Sequence, residues 1–240
     1  MKNLIVALAL IINSINLVHA QVTPSIVLKT SLPVGNEIAL AIGTVNDTTV
    51  KIDWGNGIIS QYNTGWAGVM INSTLAGNVI KIYGSTIHYF GIGDMRIDTA
   101  DFSNCPELTD LLMQNCGMSS IDISENSKLL NCWIVKNNLK TLNIKNDTSL
   151  YTLRCDQNQL TTLDVSNSKK LNELGINFNK FNSIDVNSNT LLTYFDCGSN
   201  DFKIGRASCR ERVLFIIYSR SSSVLLDKSI SVSLVADSSE

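Results

Sequence analysis

LYTLRCDQNQLTTLDVSNSKK, Leu150 to Lys170, is one unit of a repeat. Shifted by twenty-one residues in either direction, it meets copies of itself. Leu108, Leu129, Leu150, Leu171 and Leu192 form one column, and Leu111, Cys132, Leu153, Leu174 and Phe195 a second. Met113, Ile134, Cys155, Ile176 and Cys197 form a third, and Met118, Leu139, Leu160, Phe181 and Phe202 a fourth. Two shorter columns complete the apolar frame: Ile121, Leu142, Leu163 and Ile184, then Ile123, Ile144, Val165 and Val186. One polar column, Asn137, Asn158, Asn179 and Asn200, runs inside that frame. So many aligned columns mark a repeat architecture. A single unit cannot bury its apolar side alone, so neighbours must stack. Thr152 to Asp156 then forms a strand pairing in parallel with its copies at about 4.8 Å, with Leu153 and Cys155 pointing inward. Leu163 to Val165 is expected to add a second short strand on the opposite side. The asparagines are expected to turn inward as a structural ladder, each amide satisfying backbone groups of its own and a neighbouring turn.

The unit resembles the leucine-rich repeat, L-x-x-L-x-L-x-x-N/C-x-L, in the short form of bacterial surface proteins. The resemblance covers about residues 87–203. A lead-in unit fits at Ile87, Phe90, Ile92 and Ile97, with Met95 in the asparagine column, and Cys116 occupies that column in the next unit. The resemblance implies a mainly β fold: a leucine-rich repeat solenoid with short parallel strands, preceded by a small antiparallel β domain. It also implies macromolecular binding through the strand face.

The segments on either side follow other rules. MKNLIVALALIINSINLVHA reads as a secretory signal peptide over residues 1–20. Lys2 leads, Leu4 to Ile12 is apolar but too short to span a bilayer, and Val18-His19-Ala20 resembles a cleavage site. Residues 21–86 read as a small β-sandwich-like domain that shields the first repeat's open edge. VKIDWGNGIISQY signals a hairpin around Asn56-Gly57, and further strands are expected at Ile26–Thr30, Glu37–Ile42 and Asn78–Tyr83. Asp53-Trp54-Gly55-Asn56-Gly57 resembles the D-x-G-D-G hairpin of polycystic-kidney-disease-type β domains, with Asn56 where that family has Asp. Gly77 to Gly84 is expected as the join to the repeats. At the other end, IGRASCRERV, Ile204 to Val213, breaks the repeat in mid-unit. It resembles a translated sequencing adapter, so residues 204–240 are expected to be a non-native tail showing neither a clear amphipathic helix nor a hairpin. The alternative is a divergent C-terminal cap.

Composition bounds the chemistry. The chain has 240 residues, 44% hydrophobic and 17% charged, with net charge −2, so it buries a core and offers no basic surface for nucleic acid. No later stretch is apolar enough to cross a membrane, and a monomer is expected. His88 is the one histidine after the leader segment and reads as a surface or edge residue. No catalytic or phosphate-binding motif is present, so no enzyme and no cofactor are expected. Six cysteines prompt the question of disulfides. Cys155 and Cys197 lie two repeats apart, beyond bridging distance, Cys132–Cys155 is marginal, and Cys105–Cys116 stays open as a bridge. No C-x-x-C pair suggests zinc. Asp122, Asn143, Asp164 and Asp185 form an outward column, read as side chains capping their own loops in preference to calcium ligands.

The outward strand positions are free of the repeat's constraints and are where recognition is expected. Leu112, Trp133 and Val135 should form an exposed apolar patch with Arg154, Glu173 and Tyr194 beside it and Phe178 at the rim. Trp, Tyr and Arg dominate binding hot spots, and an exposed apolar patch usually meets a partner. The expected function is protein binding or adhesion at the cell surface or after secretion. A glycan-binding module, with Trp133 and Tyr194 as stacking platforms, and a non-catalytic fragment of a larger surface enzyme are the alternatives.

Overall fold

The computed structural model describes residues 23–46, 49–202, 215–219 and 222–226. The leader expected at 1–20 and the IGRASCRERV segment lie outside them. The described residues contain strands and no helix.

The solenoid is built on strands β9 (Asp110–Gln114), β10 (Asn131–Trp133), β11 (Thr152–Arg154), β12 (Glu173–Gly175) and β13 (Tyr194–Asp196). They pair in parallel with a constant shift of twenty-one residues: Cys132 faces Leu111 and Leu153, and Leu174 faces Leu153 and Phe195. The column leucines are buried because each inward side chain is covered by its copies on the turns before and after. β9 has the five residues expected from Thr152 to Asp156, whereas β10 to β13 have three each, but the ladder continues past them. The amides of Cys155 and Gln157 donate to the carbonyls of Gly175 and Asn177. The second strand expected at Leu163–Val165 does not form, and Leu163 and Val165 are buried in irregular chain. Asp164 caps this segment, its carboxylate accepting the Ser166 amide. Asp122, Asn143 and Asp185 do the same for Ser124, Lys145 and Asn187.

The N-terminal strands are β1 (Ile26–Lys29), β2 (Glu37–Thr44), β3 (Thr49–Asp53), β4 (Ile59–Asn63), β5 (Val69–Thr74), β6 (Val79–Tyr83), β7 (Ile87–Gly93) and β8 (Thr99–Asp101). One sheet has the order β4-β3-β6-β1-β8. The other begins β5-β2-β7 and runs straight on through β9 to β13. β7 is the first rung, pairing in parallel with β9 while β2 closes its free edge antiparallel. On the opposite side β8 pairs with β1, and Asp101 bridges to Asp122. Both layers of the N-terminal block therefore flow into the solenoid, and one apolar core runs from Ile26 to Cys197. The segment Gly77–Gly84 is no join, because β6 occupies it and lies between β3 and β1. Beyond β13, β14 (Phe215–Ser219) pairs in parallel with it and turns back as a hairpin with β15 (Ser222–Leu226). The tail thus contains a hairpin that its sequence did not signal.

Candidate functional site

Each turn leaves its strand through a residue with left-handed backbone. Asp94, Asn115, Lys136, Gln157, Phe178 and Ser199 have φ between 51° and 58°. None is glycine, although the conformation costs a side-chain-bearing residue roughly 1–2 kcal/mol. After Lys136, Gln157, Phe178 and Ser199 the asparagine that follows holds it. Asn158 donates from its amide to the carbonyls of Asp156 and Cys155 on its own turn and of Ile134 on the turn before, and its oxygen accepts the Leu139 amide. Asn137, Asn179 and Asn200 make the equivalent set. In the first complete unit the Cys116 thiol takes the same role, donating to Ile92 and Gln114 carbonyls, and burial raises it to about 11, so it stays protonated. Cys105 donates to the Ile87 carbonyl and is pushed up by burial to about 12. Cys105, Cys116, Cys132, Cys155 and Cys197 are all free, so the Cys105–Cys116 bridge does not form.

This scaffold presents the outer face of the long sheet. Trp133 stands on it 43% exposed, and Leu112 and Val135 beside it are half-buried. Arg154, Glu173 and Tyr194 are also half-buried, and Phe178 at the rim is 58% exposed. The apolar patch is therefore one protruding indole on a shallow aliphatic floor. Thr152, Asp156 and Gly175, outward by strand alternation, are buried.

Arg154 covers two of them, Asp156 and Gly175. It lies flat over Gly175, where a Cβ would overlap its Nε. Its Nε donates to Asp156 Oδ2 at 2.7 Å, and its guanidinium carbon sits 5.7 Å from the centre of the Tyr194 ring. Burial pulls Arg154 toward losing its proton, but the Asp156 hydrogen bond and the charges of Asp156, Tyr194 and Asp196 outweigh it and hold it above its ordinary value. Asp156 is raised by burial, which outweighs Arg154 and the Asn177 amide bound at its Oδ1. Tyr194 is raised by burial and then by Asp196. Gly198 and Asn177 complete the cluster by donating to Asp196. Arg154 is thus a fixed part of the surface, not a free arm.

The face extends beyond the repeats. One lateral row reads Met70, Ala41, Gly91, Leu112, Trp133, Arg154, Gly175 and Asp196. Met70 is 59% exposed at its far end, and between it and Leu112 lie Ala41 and Gly91, with the Tyr89 phenol over Gly91. Reading the repeat alone missed Met70, because the N-terminal block has no register with it. It also missed Leu130 and Tyr151, both exposed just before their strands, although their twenty-one-residue spacing was visible. His88 is not a surface residue. It is 4% exposed, stacked against Trp66 at 4.0 Å, with Nε2 3.1 Å from the Trp66 carbonyl oxygen and Nδ1 3.4 Å from Thr109 Oγ1. A loop residue far off in sequence supplies that cover. Among the described residues no cluster of histidine, cysteine and carboxylate side chains could hold a metal ion, and no helix is long and apolar enough to cross a membrane.

No protein-family model and no curated protein matches this chain. Among solved structures, the functional domain of InlJ from Listeria monocytogenes, described as including a cysteine ladder, is similar at 26% identity and a TM-score of 0.40. The similarity covers 50% of this chain and 32% of that chain, so the match spans about a third of that structure's length.

Proposed function

We propose that the protein binds another protein through the outer face of its long sheet, as a secreted or cell-surface adhesion module without catalytic activity. The observation that carries this reading is Trp133, 43% exposed at the middle of a row of paired strands. An indole held out of the core by a parallel ladder has little freedom to lose on binding, which favours affinity. The surroundings support a protein partner over a glycan. Arg154 lies over one face of the Tyr194 ring, 5.7 Å from its centre, and so crowds that ring as a platform for a sugar. With Asp156 buried and paired with Arg154, the half-buried Asp110, Glu173 and Asp196 leave this face acidic, which suits a contact segment that is basic as well as apolar.

The test compares the full-length chain with Trp133→Ala in binding to a panel of secreted and surface proteins, with a glycan array in parallel. Lys140→Ala, exposed and outside the strand face, serves as the control. A hot-spot loss on the order of thirtyfold or more is expected for Trp133→Ala and none for Lys140→Ala. Unchanged protein binding by Trp133→Ala, or binding confined to glycans, overturns the reading.

A further inference from the structure

A second polar column runs through the turns on the side away from the strand face. Cys105, Asn126, Asp147, Ser168 and Asn189 follow one another at twenty-one residues, and all are buried. The amide of Asn126 donates to the carbonyls of Cys105 and Phe102, and that of Asn189 to the carbonyls of Ser168 and Val165. The Ser168 hydroxyl donates to the carbonyl of Asp147. The column is thus a set of donors, each aimed at carbonyls of the turn before it. By the same offsets of the repeat, a donor at position 147 would be aimed at the carbonyls of Asn126 and Ile123.

Asp147 breaks the chemistry of this column. Its side chain is fully buried, and neither carboxyl oxygen has a hydrogen-bond partner. An ionised carboxylate only accepts, so it would face acceptors with nothing to bind. A neutral carboxylic acid carries one donor and fits the place an amide fills elsewhere. Among the described residues no cation offsets the charge. Glu125 and Lys128 on the turn before, Lys145 on the same turn, and Lys169 and Lys170 on the turn after are all exposed. Inside, the titratable group that senses Asp147 is the buried Cys132 thiol, a further proton-holding neighbour.

We propose that Asp147 is a pH-sensing residue: it sits in the fold as a neutral acid, and its ionisation loosens the turn from Ile144 to Leu150 behind strand β11. Burial agrees with this, raising Asp147 from the ordinary 3.8 to about 7. Because the folded chain holds the proton more tightly than the unfolded chain, the stabilisation is complete below the unfolded value. It is lost progressively as pH rises toward about 7 and is absent above that. The device therefore favours the fold in acid.

The experiment is urea unfolding of the full chain, Asp147→Asn and Asp147→Ser from pH 4 to 8.5, with the parent's Asp147 carboxyl carbon followed by NMR. Relative to Asp147→Asn, the parent's folded-to-unfolded ratio is expected to fall about tenfold per pH unit between roughly pH 4 and 7 and then level off. Asp147→Ser is expected to track Asp147→Asn in shape, because both remove the acid. A parent-to-variant difference that does not change with pH overturns the proposal, as does Asp147→Asn being weaker than the parent at pH 8. The NMR titration is decisive even if the variants fail to fold. A midpoint near 7 supports the proposal and one near 3.8 overturns it.

Discussion

At the scale of single residues, the protein spends unfavourable backbone to make its turns and recovers it through side-chain amides. Asn158→Ala would strand the Leu139 amide and the Ile134 carbonyl, both buried, while the Cys155 and Asp156 carbonyls keep the Asn179 and Lys136 donors. A loss of about 1–3 kcal/mol per unsatisfied group makes this a large change, measurable by urea unfolding. The neighbouring exposed Asn138→Ala should move stability by no more than about 0.5 kcal/mol. Phe178 shows the opposite imbalance. It is bulky, exposed and left-handed at φ 51°, so Phe178→Asn should raise the melting temperature, with a gain of about 0.5–1 kcal/mol. A residue standing there against its own backbone preference fits the proposed role of this rim in binding. The asparagine column was legible because a buried polar position must repeat where the backbone need repeats. The left-handed column before it was not, since its six members share no chemistry, and only the conformation is common to them.

Among elements, the hairpin of β3 and β4 was readable from its turn residues. Asp53 accepts the amides of Gly55 and Gly57, Asn56 accepts that of Ile58, and the strands pair from Asp53–Ile59 to Thr49–Asn63. What the turn packs against was not readable. Gly55 lies directly on Gly77, so closely that a Cβ on either would overlap the other's backbone. Gly77→Ala should therefore push the hairpin off the start of β6 and cost about 1–3 kcal/mol, seen as a lower unfolding midpoint. Strand β5 escaped notice for a related reason. Val69–Thr74 is the sheet's outer strand, and its exposed Val69 and Met70 blur the alternation that marks a half-buried strand. The strand expected at Leu163–Val165 was misread from its alternation, since Leu163 and Val165 turn inward and Asp164 outward in irregular chain as well.

For the whole molecule, the boundary drawn at residue 86 separates two sequence patterns and not two cores. Periodicity changes there because β7 is the first strand with a parallel partner, yet the apolar interior and the long sheet pass through it. A chain starting at Ile87 would expose the edge of β7 that β2 covers and the edge of β8 that β1 covers. Such a chain should aggregate or remain unfolded, where the full chain gives a single unfolding transition; light scattering and circular dichroism decide it. The strand face was partly legible. Trp133 and its neighbours in the repeats could be placed by register, but the continuation of their row into Gly91, Ala41 and Met70 depends on pairing that no repeat encodes.

The asparagine ladder has a direction. Asn158 satisfies groups of the turn before it, Asn179 those of the turn of Asn158, and Asn200 those of the turn of Asn179. A turn is therefore finished only when its successor has been made. On a ribosome the solenoid would close about one repeat behind the emerging chain, each new turn completing the last. Duplicating a unit in the gene adds a donor wherever it adds a need, so the array can lengthen without any existing turn being redesigned.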